Sequence, residues 1–151
     1  MIRALKSLFE MPVEESPEQL EHRLRLATAA MLIETAQADF GEDKREAAVM
    51  TELLCRSLSL PAAEVGQLLE EAQARVEQAT SLYEFTRLIN DHYSPQRKVQ
   101  IVEAMWRVAY ADGNLDKYEE ALIRRVAELT YVPHGEYIRC KLTAREDAQA
   151  T

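Results

Sequence analysis

Apolar residues recur along most of the chain at intervals of three and four positions, the spacing of amphipathic helices. In the first long segment, Leu20, Leu24, Ala27 and Met31 lie on one helical face, which Leu26, Ala30 and Ile33 widen. No segment of useful length alternates with a period of two, so strands are not indicated. Only four glycines and five prolines interrupt the 151 residues, which favours long helices. The pattern predicts an all-α fold of seven to eight helices.

Capping residues mark where several helices begin. Ser16–Gln19 combines an N-cap serine, a proline at the first helical position and the glutamine of a capping box. Ser94–Pro95 repeats the serine-proline device, and Ser81–Glu84 predicts a further capping box. Pro133 opens a last helix, and we expect the tail at 144–151 to fray.

One segment of the chain occurs twice. Residues 36–48 return 73 positions later as residues 109–121, with seven identities in thirteen positions, where chance gives about one. The pattern predicts one domain, 1–151, with pseudo-repeats at about 17–77 and 81–145. The acidic pairs shared by the two copies are Asp39/Asp112, Asp43/Asp116 and Glu46/Glu119.

The repeated acids lie in turns between predicted helices and form a candidate cation site. In the second turn, the oxygen-bearing side chains fall at alternate positions, as Ca²⁺ or Mg²⁺ requires. A full EF-hand is excluded, because Lys117 stands where its glycine belongs and Ile123 where its bidentate glutamate belongs. The first turn has Gly41 in place of the asparagine. The candidate ligands are Asp112, Asn114, Asp116, Glu119, Glu120, Asp39, Asp43 and Glu46.

The same acids have a purely structural interpretation. Asp43–Glu46 and Asp116–Glu119 both match capping boxes, which stabilise a helix by about 1 kcal/mol without any metal. Asp39 and Asp112 lie near the C-terminus of the incoming helix, where the helix dipole disfavours negative charge. Each of these two therefore needs a partner, which is a lysine, a backbone N–H group or a cation.

The second turn carries a recognisable family pattern. The run Ala111-Asp112-Gly113, followed by Glu119 and an amphipathic helix, resembles the tellurite-resistance protein B-like (TerB-like) family. Residues 38–46 form the degenerate first copy. The resemblance implies an all-helical duplicated domain, a link to stress and tellurite resistance, and a divalent-cation site at the acidic turns. DjlA-type co-chaperones carry a similar domain before a J-domain, but the His-Pro-Asp triplet of a J-domain is absent from this sequence.

Charge and composition argue against several classes of function. The net charge of −8 argues against nucleic-acid binding, which needs a basic face. The three histidines lack the spacing of a zinc site. The sequence shows neither a nucleophile–base pair nor a glycine-rich phosphate-binding loop. We therefore expect no enzymatic activity and no certain cofactor. Cys55 and Cys140 form no CxxC pair and no signal or membrane-spanning run is present, so we expect a cytoplasmic protein.

Two functions remain open, and they are compatible. One is an interaction or scaffold module in a stress response, with protein partners. The other is a divalent-cation module at 39–46 and 112–120. Tyr110, Tyr118 and Tyr131 flank the second turn and its helix, and they form a partner surface or cover the core. Residues 2–9 pack on the domain or, alternatively, lie on a membrane surface. The oligomeric state is left open.

Overall fold

The computed structural model describes residues 15–37, 44–79, 81–111 and 115–150, except the side chains of residues 44–46. These residues contain seven helices and no strand, which confirms the all-α prediction. Residues 2–9 lie outside the described part. The helices are α1 (Pro17–Gln37), α2 (Lys44–Leu58), α3 (Ala62–Gln78), α4 (Tyr83–His92), α5 (Pro95–Ala109), α6 (Lys117–Leu129) and α7 (His134–Ala150).

Helix α1 forms the centre of the bundle. It contacts α2, α3, α4, α5 and α6, and every residue from Leu26 to Ile33 is buried. This burial includes the predicted face with its widening at Leu26, Ala30 and Ile33, and it extends beyond that face to Thr28, Ala29 and Leu32. The hydroxyl of Thr28, within that stretch, donates to the Leu24 carbonyl over 2.9 Å, so no polar group is left unpaired there.

The duplication is visible in the packing. In the first unit α1 packs against α2 and α3, in the second α5 packs against α6 and α7, and α4 lies between the two in sequence. Contacts of α1 with α5 and α6, and of α2 with α5, join the units. Positions 73 residues apart carry equivalent core side chains. Among these pairs are Ala29/Val102, Leu32/Met105 and Ile33/Trp106.

Two of the three predicted serine starts form as expected. Ser16 Oγ accepts from the Gln19 amide over 3.2 Å, and the Ser16 amide donates to Gln19 Oε1 over 3.0 Å. Ser94 caps α5. The predicted capping box at Ser81–Glu84 is wrong. Because Leu82 is the N-cap, Glu84 is the second helical residue and not the third that a capping box requires.

Helices α2 and α6 end in the same way, in a left-handed residue that is not glycine. Ser59 has φ of 55° and Tyr131 has φ of 62°. In both places the amide of the next residue donates to a carbonyl five positions back, over 3.2 Å after Ser59 and 2.9 Å after Tyr131, which is the Schellman arrangement. Pro61 and Pro133 then precede α3 and α7.

The last helix is longer than expected. It continues to Ala150, so the prediction of a frayed tail is wrong for residues 144–150. The physical reason is contact with α5, since Ala144 is buried in the core and Arg107 Nη1 lies 2.8 Å from Asp147 Oδ2. None of the helices described above combines the length and apolar composition needed to cross a membrane.

Candidate functional site

The second acidic turn forms the capping box that one interpretation predicted. Asp116 is the N-cap of α6, and its Oδ1 accepts from the Tyr118 amide over 2.7 Å. Glu119 Oε1 accepts from the Asp116 amide over 3.2 Å, with the Glu119 side chain fully buried. These carboxylates therefore stabilise the start of α6 whether or not a cation binds nearby.

The neighbouring carboxylate, Glu120, is tied to the aromatic core. Its Oε1 lies 3.0 Å from Lys141 Nζ on α7, and that ammonium lies 5.4 Å from the centre of the Trp106 ring. Trp106 is fully buried and packs 5.3 Å from Tyr137 between ring centres. Burial raises the pKa of the Tyr137 phenol, and the charge of Glu120 raises it further. Lys141 is thus already paired with Glu120, a carboxylate that a bound cation would need as a ligand.

The other predicted ligands are not placed. Asp39, Asp43, Asp112 and Asn114 lie outside the described residues, as does the side chain of Glu46. Within the described ranges, no three His, Cys, Asp or Glu side chains converge as a metal site would require. The eight-residue ligand set therefore stays a prediction.

The three tyrosines near the second turn do not form one surface. Tyr110 is buried and stacks on Trp106 at 6.0 Å, so it covers the core. Tyr118 is 51% exposed near the start of α6, and Tyr131 is 79% exposed beyond its end. The thirteen residues of α6 separate these two exposed rings by about 20 Å along the helix axis.

A groove lies at the Tyr131 end of the second unit, and the sequence interpretation missed it. It has a volume of about 550 Å³ and runs between the start of α5, the α6–α7 connection and the start of α7. We call it the Tyr131 groove. Its walls include Pro95, Lys98, Val99, Tyr131, Pro133 and Arg139. Because it lies at the opposite end of α5 and α6 from the second acidic turn, the two sites can be tested separately.

The two basic side chains of the groove differ in whether they have a carboxylate partner. Arg139 donates through Nε to Glu136 Oε2 over 2.9 Å, so this pair is satisfied within α7. Lys98 Nζ lies 5.8 Å from the centre of the Tyr131 ring, and no described carboxylate pairs with it. The helix end before Pro133 lacks the usual glycine, but so does the helix end before Pro61, so the sequence by itself does not single out this groove.

The comparison with protein families matches the model of tellurite resistance protein TerB over residues 25–142. The chain belongs to the TerB family. The match runs from α1 into α7 and so covers both three-helix units, including the second acidic turn and the Tyr131 groove. It confirms the resemblance that the Ala-Asp-Gly turn indicated. Searches of curated proteins and of solved structures gave no match.

Proposed function

We propose that this TerB-family chain is a non-enzymatic interaction module of a cytoplasmic stress response that binds a protein partner through the Tyr131 groove. The observation that carries the proposal is the position of Tyr131. An aromatic ring is held 79% exposed on a residue with φ of 62°. Bulky residues rarely adopt this conformation, which costs roughly 1–2 kcal/mol relative to a right-handed one.

The left-handed backbone ends α6 just as the one at Ser59 ends α2, so the feature that needs a separate explanation is the exposed ring of Tyr131, which is better explained by binding than by folding. A glycine would end α6 without the penalty, and the exposed ring contributes little burial to the core. Tyrosine is enriched in protein interfaces because it offers a large contact area and a hydroxyl group. The other groove side chains are apolar, amide or charged, a set that suits recognition more than bond formation.

Crosslinking in the native cell tests this proposal. A photo-crosslinking amino acid at Gln96, in the groove, should give an adduct of discrete mass. The same amino acid at Gln67, exposed on α3, serves as the control and should not give that adduct. Tyr131→Gly should abolish the Gln96 adduct. The absence of an adduct at Gln96, or the same adducts from both positions, would contradict the proposal.

Divalent-cation binding at the acidic turns is a second candidate. It is supported by the carboxylates of Asp116 and Glu120, which are partly exposed at the start of α6, with Asp112 and Asn114 shortly before them in sequence. The positive end of the α6 dipole opposes a cation at this place, and Lys141 already pairs with Glu120. A bound cation must therefore overcome both the repulsion by the helix dipole and the competition of Lys141 for Glu120.

Calorimetry with metal-free protein separates the two roles of Asp116. Asparagine caps a helix about as well as aspartate but lacks its charge. Asp116→Asn should therefore keep the ion-free melting temperature and weaken the binding of Ca²⁺ or Mg²⁺. If millimolar Ca²⁺ and Mg²⁺ produce no heat and no shift in the melting temperature of the wild type, the cation candidate is rejected.

A further inference from the structure

We infer that the Tyr131 groove binds a peptide segment of a partner protein in which an aliphatic residue stands within two positions of an aspartate or glutamate. This inference rests on the proposed function and specifies the chemistry of the partner. It combines the apolar surface of the groove with the position of Lys98.

The apolar part of the groove calls for an aliphatic side chain. Val99, Pro95 and Pro133 line it, and the exposed Tyr131 ring forms one wall. A volume of about 550 Å³ lies within the range of about 300–1,000 Å³ that is usual for ligand sites. The groove is therefore large enough for a few side chains of an extended peptide, and burying them supplies the hydrophobic contribution.

The charged part of the groove calls for a carboxylate. Glu136, the acid among the lining residues, is already held by Arg139. Lys98 has the Tyr131 ring beside it and no carboxylate partner among the described residues. A bound peptide would exclude water from this ammonium, and an ion pair formed there is stronger than one in bulk solvent. The groove thus offers one unmatched cation next to an apolar wall.

A peptide fits these features better than the other anionic partners. Nucleic acids and anionic membranes are bound by many basic residues acting together, and this chain carries a net charge of −8. One unmatched lysine cannot offset that repulsion. A single carboxylate on an extended peptide segment needs no more than one cation, and the apolar wall supplies the remaining affinity.

Selection from a display library tests the inference without knowledge of the natural partner. A library of random 12-residue peptides is selected on the purified full chain and counter-selected on Tyr131→Gly. We expect the enriched peptides to share an aliphatic residue with an aspartate or glutamate within two positions. Enrichment that does not depend on Tyr131, or groove-dependent peptides without an acidic residue, would overturn the inference.

Synthetic versions of the enriched peptides, acetylated and amidated to remove terminal charges, then test Lys98. Exchanging the acid of the peptide for its amide should weaken binding by about tenfold, as expected for a charge-assisted contact. Lys98→Gln should abolish this discrimination. Ser59→Gly, the matched left-handed position of the other unit, should leave binding unchanged. Equal affinity of the wild type for the acid and amide peptides would refute the role of Lys98.

These results remain distinguishable from failure of the proposed function. If the Gln96 adduct forms in cells but the selected peptides show no acidic preference, the groove is an interface and only the chemistry of its partner is wrong. If neither the adduct nor groove-dependent peptides are found, both proposals fail.

Discussion

Ser59 and Tyr131 occupy the same backbone position in the two three-helix units. Each is the left-handed residue that ends the second helix of its unit, with φ of 55° and 62°, and each is followed by one apolar residue and a proline. Neither is the glycine that usually fills this position. Ser59 is small, whereas Tyr131 carries a large ring into solvent, so the second unit has at this position an exposed aromatic side chain that the first unit lacks.

Glycine at either position should stabilise the protein. Ser59→Gly and Tyr131→Gly remove the steric penalty of the left-handed conformation, and we expect the free energy of unfolding to rise by about 0.5–1 kcal/mol in urea titrations. Gln67→Gly, in the middle of α3, is the control and should lower it by about 1 kcal/mol. A loss of stability in Tyr131→Gly would show that the ring supports the fold, which contradicts its assignment to binding.

Asp116 should stabilise the protein through the hydrogen bond of its cap and not through its charge. Asp116→Ala removes the acceptor of the Tyr118 amide, and we expect the free energy of unfolding to fall by about 1 kcal/mol. Asp116→Asn should retain most of that stability, because its side-chain oxygen also accepts a hydrogen bond. If both variants lose equal stability in ion-free urea titrations, the charge of Asp116 matters more than its capping.

The Lys141–Glu120 pair should contribute weakly and in a salt-dependent way. Both side chains are partly exposed, and pairs of this kind are worth about 0.2–1 kcal/mol. A double-mutant cycle with Lys141→Met and Glu120→Gln should give a coupling near 0.5 kcal/mol that shrinks in molar NaCl. A coupling that does not change with salt would contradict a screened ion pair between these two side chains.

The two thiols should react very differently. Burial, the largest cause, raises the pKa of the Cys140 thiol to about 11, and the nearby charge of Glu103 adds to the shift. At pH 8 only about one Cys140 in a thousand is then a thiolate, whereas Cys55 is partly exposed. Native protein titrated with a thiol reagent should show one fast thiol, which Cys55→Ser removes. A fast thiol that survives in Cys55→Ser would contradict the burial of Cys140.

Alkaline pH should weaken the fold through the same thiol. The folded-state pKa is above the unfolded value of about 8.5–9, so the folded protein holds the proton more tightly. This contribution to stability is complete below the unfolded pKa and is lost as the pH rises from about 9 to about 11. Melting temperatures should fall over this range, and less steeply in Cys140→Ala. An equal slope in that variant would assign the loss to other groups.

The helices and their caps are largely local, and the sequence predicted them well. Ser16 and Gln19 form their capping box because both partners lie within one helical turn. The failure at Ser81–Glu84 has an equally local cause, a helix that begins one residue later than the pattern indicates. The central position of α1 was not predictable in this way. Its burial on all sides arises from five neighbouring helices, whereas a periodic pattern registers one face at a time.

The two candidate sites also differ in how far the sequence alone could predict them. The acidic turn was found from the sequence because its residues are close together and occur twice, and its capping at Asp116 and Glu119 followed from their spacing alone. The Tyr131 groove brings the start of α5, at Pro95, beside the start of α7, at His134, which are 39 positions apart in the sequence (134 − 95 = 39). The packing of α5 against α6 and α7 places Lys98 beside the Tyr131 ring, which the sequence could not predict, because periodicity specifies which face of a helix is apolar but not which helix covers it.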